Sequence, residues 1–251
     1  MTDDFLGQAE KVIMDILQQY KPRLISAYGN IEYDTKADAT VVTRLDKELE
    51  EKLRPALQAL DPGVGLLGEE LGQTGSTHTY WTLDPIDGTE QFIRGIPSCK
   101  NLFSLVENGQ PVWALMYMFA RDELWIAKKG HGTFCNGAKV QMRHRPLERA
   151  WLDLSVNLMD PENLKKILNV RPHIAGYTIM RDSTLIINGR IDGALALKTE
   201  GGPWDYAPRA LLMAEAGAKI TNIGLSSYDF NDHNFLVAHP DNFDQIMRLI
   251  V

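Results

Sequence analysis

The densest chemistry in this chain lies in Asp84-Pro85-Ile86-Asp87-Gly88-Thr89, which follows directly on the apolar run Tyr80-Trp81-Thr82-Leu83. Carboxylates at the end of a strand stand where open α/β sheets bind their ligands. Pro85 restricts the backbone between the two aspartates, which lets both serve one site. Gly88 permits close backbone approach, and residues 89–93 read as the first turn of a helix, whose N–H groups suit an anion. Two further acidic groups are Gly68-Glu69-Glu70, at the end of the preceding predicted strand, and Trp204-Asp205, with Asp205 at the start of a predicted helix over 206–216. Asp46 opens another helix. Singly, Asp46 and Asp205 read as helix caps, and Glu69-Glu70 as a solvated turn. The hexapeptide is different, because five fixed identities at one place arise by chance in on the order of one chain in ten thousand of this size.

Carboxylates brought together repel: two unit charges ~4 Å apart cost roughly 4 kcal/mol at an effective dielectric of 20. They converge only when protons or cations compensate them. An all-oxygen set without His or Cys favours Mg²⁺ or Mn²⁺ over Zn²⁺. Such ions would also explain how an acidic chain attracts a phosphate.

The elements that must hold these residues are legible in outline. Residues 5–28 carry apolar side chains at helical spacing, with Pro22 expected to kink or interrupt the helix. A second helix is expected over 45–60, with Asp46 and Glu50 on its charged face and an apolar stripe clear only in its second half. Short apolar runs at 64–68, 80–83, 100–106, 111–119 and 124–128 read as strands. Asn108-Gly109 is the hairpin turn between two of them, and Asn136-Gly137 marks another turn. Beyond residue 150 the pattern alternates: strand 151–156, helix 161–168, helix 181–187, strand 191–197, helix 206–216, strand 235–238 and a C-terminal helix. Strand runs followed by β-α alternation indicate an α/β (α+β) protein. A soft boundary falls near 145–150, giving an N-terminal half, 1–147, with most of the acidic groups and a C-terminal half, 148–251, that completes the site in one compact unit.

Composition excludes several classes. The 251 residues are 44% hydrophobic and 24% charged, which is ordinary for a globular protein. With 26 Lys and Arg against 33 Asp and Glu the net charge is -7, which repels nucleic acid and anionic membrane. The longest apolar run, 112–120, is far below the ~18 residues of a membrane span. The acidic start Met1-Thr2-Asp3-Asp4 does not read as a signal peptide. Cys99 and Cys135 form no CxxC or Cys/His spacing and read as reduced thiols, so a cytoplasmic protein is expected.

The series Asp46, Gly68-Glu69-Glu70, Asp84-Pro85-Ile86-Asp87-Gly88-Thr89 and Trp204-Asp205 resembles the inositol monophosphatase family of Mg²⁺-dependent, lithium-sensitive phosphatases. The resemblance covers nearly the whole chain. It extends to Gly130-His131-Gly132-Thr133-Phe134-Cys135-Asn136-Gly137, similar to a glycine turn of that family, and to residues 214–219. It implies a layered αβαβα sandwich of the inositol monophosphatase and fructose-1,6-bisphosphatase type, a homodimer, and two or three Mg²⁺ ions (or Mn²⁺) with Li⁺ as inhibitor. By the same resemblance Glu69, Asp84 and the Ile86 carbonyl hold one ion, and Asp84, Asp87 and Asp205 a second, with Asp46 beside them. Thr89 with Glu69 or Asp46 orients and deprotonates the attacking water. The Gly88 and Thr89 amides grip the phosphate, and Lys36 and Asp38 belong to a loop that closes over the site. Water attacks directly, with no covalent phosphoenzyme.

Departures from the family pattern bear on the substrate, a small phosphorylated metabolite. Glu90 follows the Asp-Gly-Thr where the family carries Asn, Thr or Lys. Lys198 stands where inositol-specific members carry a Glu that binds ring hydroxyls. It is either a contact for a second anionic group or an exposed surface residue. Arg181-Asp182-Ser183 replaces a Gly-Ser-Ala, so Arg181 either faces the site as a second candidate substrate contact or pairs with the neighbours of Asp182. The reading is therefore a phosphomonoesterase acting on an inositol monophosphate-like substrate. Histidinol-phosphate phosphatase, 3',5'-bisphosphate nucleotidase and fructose-1,6-bisphosphatase are alternatives within the family, and a non-catalytic metal- and phosphate-binding regulatory protein is the alternative outside it. The remaining prominent residues have plainer readings. Trp113, Trp125 and Trp151 fall in apolar strands and read as core, no histidines pair at a metal-ligand spacing, and Arg143-His144-Arg145 reads as a solvated loop.

Overall fold

A computed structural model describes residues 1–36, 40–154, 159–170, 173–175 and 182–250. Arg181 and Asp38 lie outside the described residues, as does the end of the strand expected over 151–156. The chain forms two compact units, Met1–Ile126 and Ala127–Val251.

The first unit begins with helix α1, Asp3–Ala27, which the Thr2 hydroxyl caps by accepting from Phe5 N. The break expected at Pro22 does not occur: the helix runs through it, with Leu17 and Leu24 fully buried on either side. Packing there outweighs the hydrogen bond that proline removes. A hairpin of β1 (Tyr33–Thr35) and β2 (Val41–Thr43) leads into α2, Arg44–Leu60. The apolar stripe of α2 extends along its whole length rather than its second half, since Leu45, Leu49, Leu53 and Leu57 are all buried. Each contributes about 2 kcal/mol of burial. Asp46, Glu50 and Arg54 line the neighbouring stripe at intervals of four, and they too are buried, contrary to the charged face expected for Asp46 and Glu50.

The sheet of this unit contains β3 (Gly65–Gly68), β4 (Gly72–Thr74), β5 (Thr79–Asp87), β6 (Lys100–Glu107), β7 (Gln110–Met118) and β8 (Glu123–Lys128), in the order β8-β7-β6-β5-β3-β4. The short helix α3, Thr89–Ile93, separates β5 from β6. β5 is parallel to β3 and antiparallel to β6. Asn108 and Gly109 both take positive φ, 50° and 72°, the turn that matches the twist of the β6–β7 hairpin. The core joins α1 and α2 to the sheet around Trp81, which stacks on Phe5 and meets Trp113 edge to face.

In the second unit β9 (Gly132–Cys135) and β10 (Ala138–Val140) form a hairpin through Asn136-Gly137. A five-stranded sheet follows, built from β11 (Trp151–Leu154), β12 (His173–Ala175), β13 (Gly193–Ala196), β14 (Lys219–Asn222) and β15 (Phe235–Ala238), ordered β12-β11-β13-β15-β14. Its helices are α4 (Pro161–Asn169), α5 (Thr184–Ile187), α6 (Pro203–Glu215) and α7 (Pro240–Ile250), and α4 and α7 pack together. Helix α5 is one turn, shorter than the sequence pattern indicates.

Two plain readings are corrected here. Trp151 is 48% exposed and lies flat on the His173 ring instead of joining the core, because it sits at the first residue of its strand. Arg145 is not simply solvated: it donates to Gly189 O and to Asp192 Oδ1, 2.8 Å away, and Asp192 is fully buried. Asp192 Oδ2 in turn accepts from Trp151 N, so this pair ties residue 145 to the start of β11. Trp113 and Trp125 are buried as expected, and both cysteines are free thiols. Among the described residues, no helix is long and apolar enough to cross a membrane.

Candidate active site

β5 ends in an irregularity that brings its two aspartates together. Asp84 pairs with Leu102 and Asp87 with Lys100, so three steps on β5 answer two on β6. In a regular strand residues 84 and 87 face opposite sides; one extra residue in a bulge turns the second to the side of the first. The Asp84 and Asp87 carboxylates offer oxygens within 4.8 Å of each other, and both residues are buried. Asn101 secures the bulge by donating from Nδ2 to the Pro85 carbonyl at 2.5 Å.

The next residue, Gly88, has φ 80° and caps α3. This left-handed backbone is open to glycine, and a Cβ here would stand 2.9 Å from Gln91 Oε1. The turn presents Thr89 Oγ1 to two acceptors, Asp46 Oδ1 at 3.2 Å and the Ile86 carbonyl at 3.0 Å. Asp46 is fully buried on α2, where its Oδ2 accepts from Thr43 N and Thr43 Oγ1. Its capping role and its contact with Thr89 are thus met by different oxygens. Burial pushes the Asp46 carboxyl up to about 6, against the lowering effect of the Thr43 and Thr89 hydrogen bonds.

Glu69 follows β3, its N–H bonded to the Leu83 carbonyl. Lys36 Nζ bridges Glu69 Oε1 at 2.8 Å and Glu70 Oε1 at 2.7 Å. Burial alone would lower the Lys36 ammonium, but the two carboxylates hold it above its ordinary range. The acidic turn is braced from beneath by Glu50, which accepts from Glu70 N and Leu71 N and pairs with Arg54. Gly68 makes room for it, since a Cβ at that position would collide with the Glu50 carboxylate.

Sequence reasoning on carboxylates alone missed Glu50, Arg54 and Lys100. The i, i+4 spacing of Asp46, Glu50 and Arg54 was the available signal for the first two. Lys100 is 1% exposed and its Nζ pairs with Asp87 Oδ2.

The donors in this unit (the Glu69, Asp84 and Asp87 carboxylates and the Ile86 carbonyl) are hard oxygens, which fit Mg²⁺ or Mn²⁺. Cys99 lies beside Gly88, but burial pushes its thiol up to about 12, so it is no ligand at neutral pH.

In the second unit Asp205 is the third residue of α6 rather than its cap; the helix starts earlier than expected, at Pro203, with Gly202 as the cap. Asp205 Oδ2 accepts from Gly202 N at 2.7 Å, and Arg209 faces Oδ1 at 3.4 Å. The loop before it is held by Tyr206, which bonds Thr199 and the Glu200 carbonyl and stacks on His233. Lys198 lies exposed on that loop with φ 47° and bonds Asn234 through its backbone. The glycine turn is fixed on the end of α6, where Glu215 accepts from Gly130 N and Gly132 N. The fold also brings His144, His239 and Asp241 together, a convergence that spacing did not reveal. Here His239 Nδ1 accepts from Asp241 N at the start of α7, a local helix-capping role.

Residues 3–251 match the inositol monophosphatase family, and the chain belongs to it. It is 31% identical over 209 residues to a histidinol-phosphatase of Mycobacterium tuberculosis, covering 77% of this chain and 78% of that one. It is 27% identical over 265 residues to an inositol monophosphatase of Dictyostelium discoideum, covering 98% and 96%. A solved IMPase of Thermotoga maritima superposes with a TM-score of 0.77 at 22% identity over 94% of each chain, so the mixed α/β fold is that of these proteins. The chain is a phosphatase of this family, which is metal-dependent and acts on phosphorylated small metabolites.

Proposed function

We propose that the protein is a Mg²⁺-dependent phosphomonoesterase that hydrolyses a small phosphorylated metabolite by direct attack of water. The observation that carries this is the bulged end of β5, where two buried aspartates lie side by side next to Thr89 and Asp46. Glu69, Asp84 and the Ile86 carbonyl would hold one ion, and Asp84 and Asp87 a second, which Asp205 from the 148–251 half completes. Bound Mg²⁺ would supply positive charge to the phosphoryl group and leaving oxygen and acidify water.

The chain's own residues do the rest. Thr89 gives its hydroxyl hydrogen to Asp46 and so turns its lone pairs toward a water, which it orients. Asp46, or Glu69 across the site, takes the water's proton. The Gly88 and Thr89 amides bind the phosphoryl oxygens. Water's oxygen forms the new bond to phosphorus as the ester bond breaks, and the leaving alkoxide takes up a proton, giving an alcohol and inorganic phosphate. Lys36 and Asp38 form the loop that closes over the substrate, and Lys198 and Arg181 select a second anionic group on it.

An inositol monophosphate-like ester is the first substrate class. Histidinol phosphate is the second reading, favoured by the Mycobacterium relative. The same reading includes inhibition by Li⁺, a homodimer and a cytoplasmic location. The test is phosphate release from inositol 1-phosphate, histidinol phosphate, 3'-phosphoadenosine 5'-phosphate and fructose 1,6-bisphosphate, with Mg²⁺ and with EDTA. Asp84→Asn should lower the Mg²⁺-dependent rate on the order of 10³-fold, or about 4 kcal/mol of transition-state stabilisation. Mg²⁺-independent release, or none on any ester, would overturn the reading.

A further inference from the structure

The second unit gathers two imidazoles and a carboxylate at the start of α7. His144 lies on the segment before β11, and its ring centroid is 4.8 Å from that of His239, which follows β15. Asp241, in the first turn of α7, places Oδ2 3.5 Å from His239 Nδ1 and 3.8 Å from His144 Nδ1. Ligands ~2.1 Å from one tetrahedral ion stand ~3.4 Å apart, so the three atoms are spaced nearly as a shared Zn²⁺ requires. Buried groups hold the two arms in place. Asp192, with no exposed surface, accepts from the Arg145 guanidinium through Oδ1 and from His239 N through its carbonyl. Asn242, 1% exposed, donates from Nδ2 to the Arg145 carbonyl at 2.8 Å. The backbone that carries both imidazoles is thus pinned from beneath, while His144 and Asp241 face solvent, where an ion can reach them.

We propose that His144, His239 and Asp241 form a Zn²⁺ site separate from the acidic end of β5. Two imidazoles and one carboxylate are a borderline nitrogen and oxygen set, which selects Zn²⁺ over the Mg²⁺ that suits the all-oxygen donors of β5. Three protein ligands leave the fourth position to water. The ion takes the His239 Nδ1 lone pair that otherwise accepts from Asp241 N at 3.3 Å, a long hydrogen bond, and the exposed His144 ring turns to meet it. The positive end of α7 opposes a cation there, and the Asp241 carboxylate offsets it. The ligands come from segments distant in sequence, so the ion clips the chain before β11 to the junction of β15 and α7.

The experiment is calorimetric titration of metal-stripped protein with Zn²⁺ in excess Mg²⁺, repeated with Co²⁺ and read by its visible absorption. Wild type is compared with His144→Ala, Asp241→Ala and Asp84→Asn, each checked by a thermal melt. The side chains of His144 and Asp241 are 41% and 65% exposed, so their removal should leave the fold intact. Wild type should bind Zn²⁺ and give the intense bands of four-coordinate Co²⁺. Both exposed-site variants should lose those bands and weaken Zn²⁺ about 100-fold or more, since even the partners behind a metal ligand are worth about 10–100-fold. Asp84→Asn should keep both signals. Zn²⁺ affinity equal in wild type, His144→Ala and Asp241→Ala but lost in Asp84→Asn would place the ion at β5 and overturn the proposal. So would a wild type that binds no Zn²⁺, or that gives only the pale spectrum of six-coordinate Co²⁺.

Discussion

Asp46 on α2 and Asp205 on α6 each stand third in their helix and each accept the N–H of the residue capping it, Thr43 at 2.9 Å and Gly202 at 2.7 Å. Their surroundings separate them. Asp46 has no exposed surface, receives the Thr43 and Thr89 hydroxyls, and is driven by burial up to about 6. Asp205 keeps 15% of its side chain exposed and is faced by the Arg209 guanidinium from the next turn. One local motif therefore serves two ends. On α2 it yields a carboxyl that holds a proton readily; on α6 it yields one that faces a guanidinium.

The comparison is sharpened first by Glu50, which shares the buried stripe of Asp46. Glu50→Ala removes the carboxylate paired with Arg54, which keeps Thr74 and the Gly72 carbonyl, and leaves the Glu70 and Leu71 N–H groups without their acceptor; it should cost about 3–5 kcal/mol in urea unfolding. A loss below 1 kcal/mol would mean that the brace beneath Glu69-Glu70 is not structural.

Asp46 itself gives a pH signature. Its folded value, about 6, lies above the ordinary 3.8, so the folded state favours the protonated form. The associated stability is complete below about pH 4 and is lost as pH rises to 6, to the extent of about 2–3 kcal/mol. Melting of metal-free protein between pH 3.5 and 7 should show this slope, and Asp46→Asn should remove it. A slope that persists in Asp46→Asn would break the comparison.

The smallest effect concerns the caps. Thr43→Ala removes a side chain that accepts from Leu45 N and donates to Asp46, and should cost about 1 kcal/mol. Gly202 has no side chain to lose, so α6 owes its start to Pro203 and Asp205.

Much of this was readable in advance because it is local. The strand before Asp84, the turn at Asn108-Gly109 and the capping position of Asp46 follow from neighbouring residues. The continuity of α1 through Pro22 was not, because packing of Leu17 and Leu24 decided it. Nor was Trp151, whose apolar pattern says nothing of which strand end it occupies. Glu50 and Lys100 were hidden for a related reason: a charged residue reads as exposed until its partner, distant in sequence or across a strand, is known. The meeting of His144 with His239 is of the same kind.

The central claim is that Asp205 serves the chemistry of the β5 aspartates and is more than a helix cap. The direct measurement is Mg²⁺-dependent phosphate release by Asp205→Asn beside wild type, each with a thermal melt at neutral pH. The expected result is a fall of about 100-fold or more in rate, with a melting temperature within a few degrees of wild type, since Asn can still accept the Gly202 N–H. Turnover at the wild-type rate with the same Mg²⁺ dependence would contradict the account and return Asp205 to capping alone.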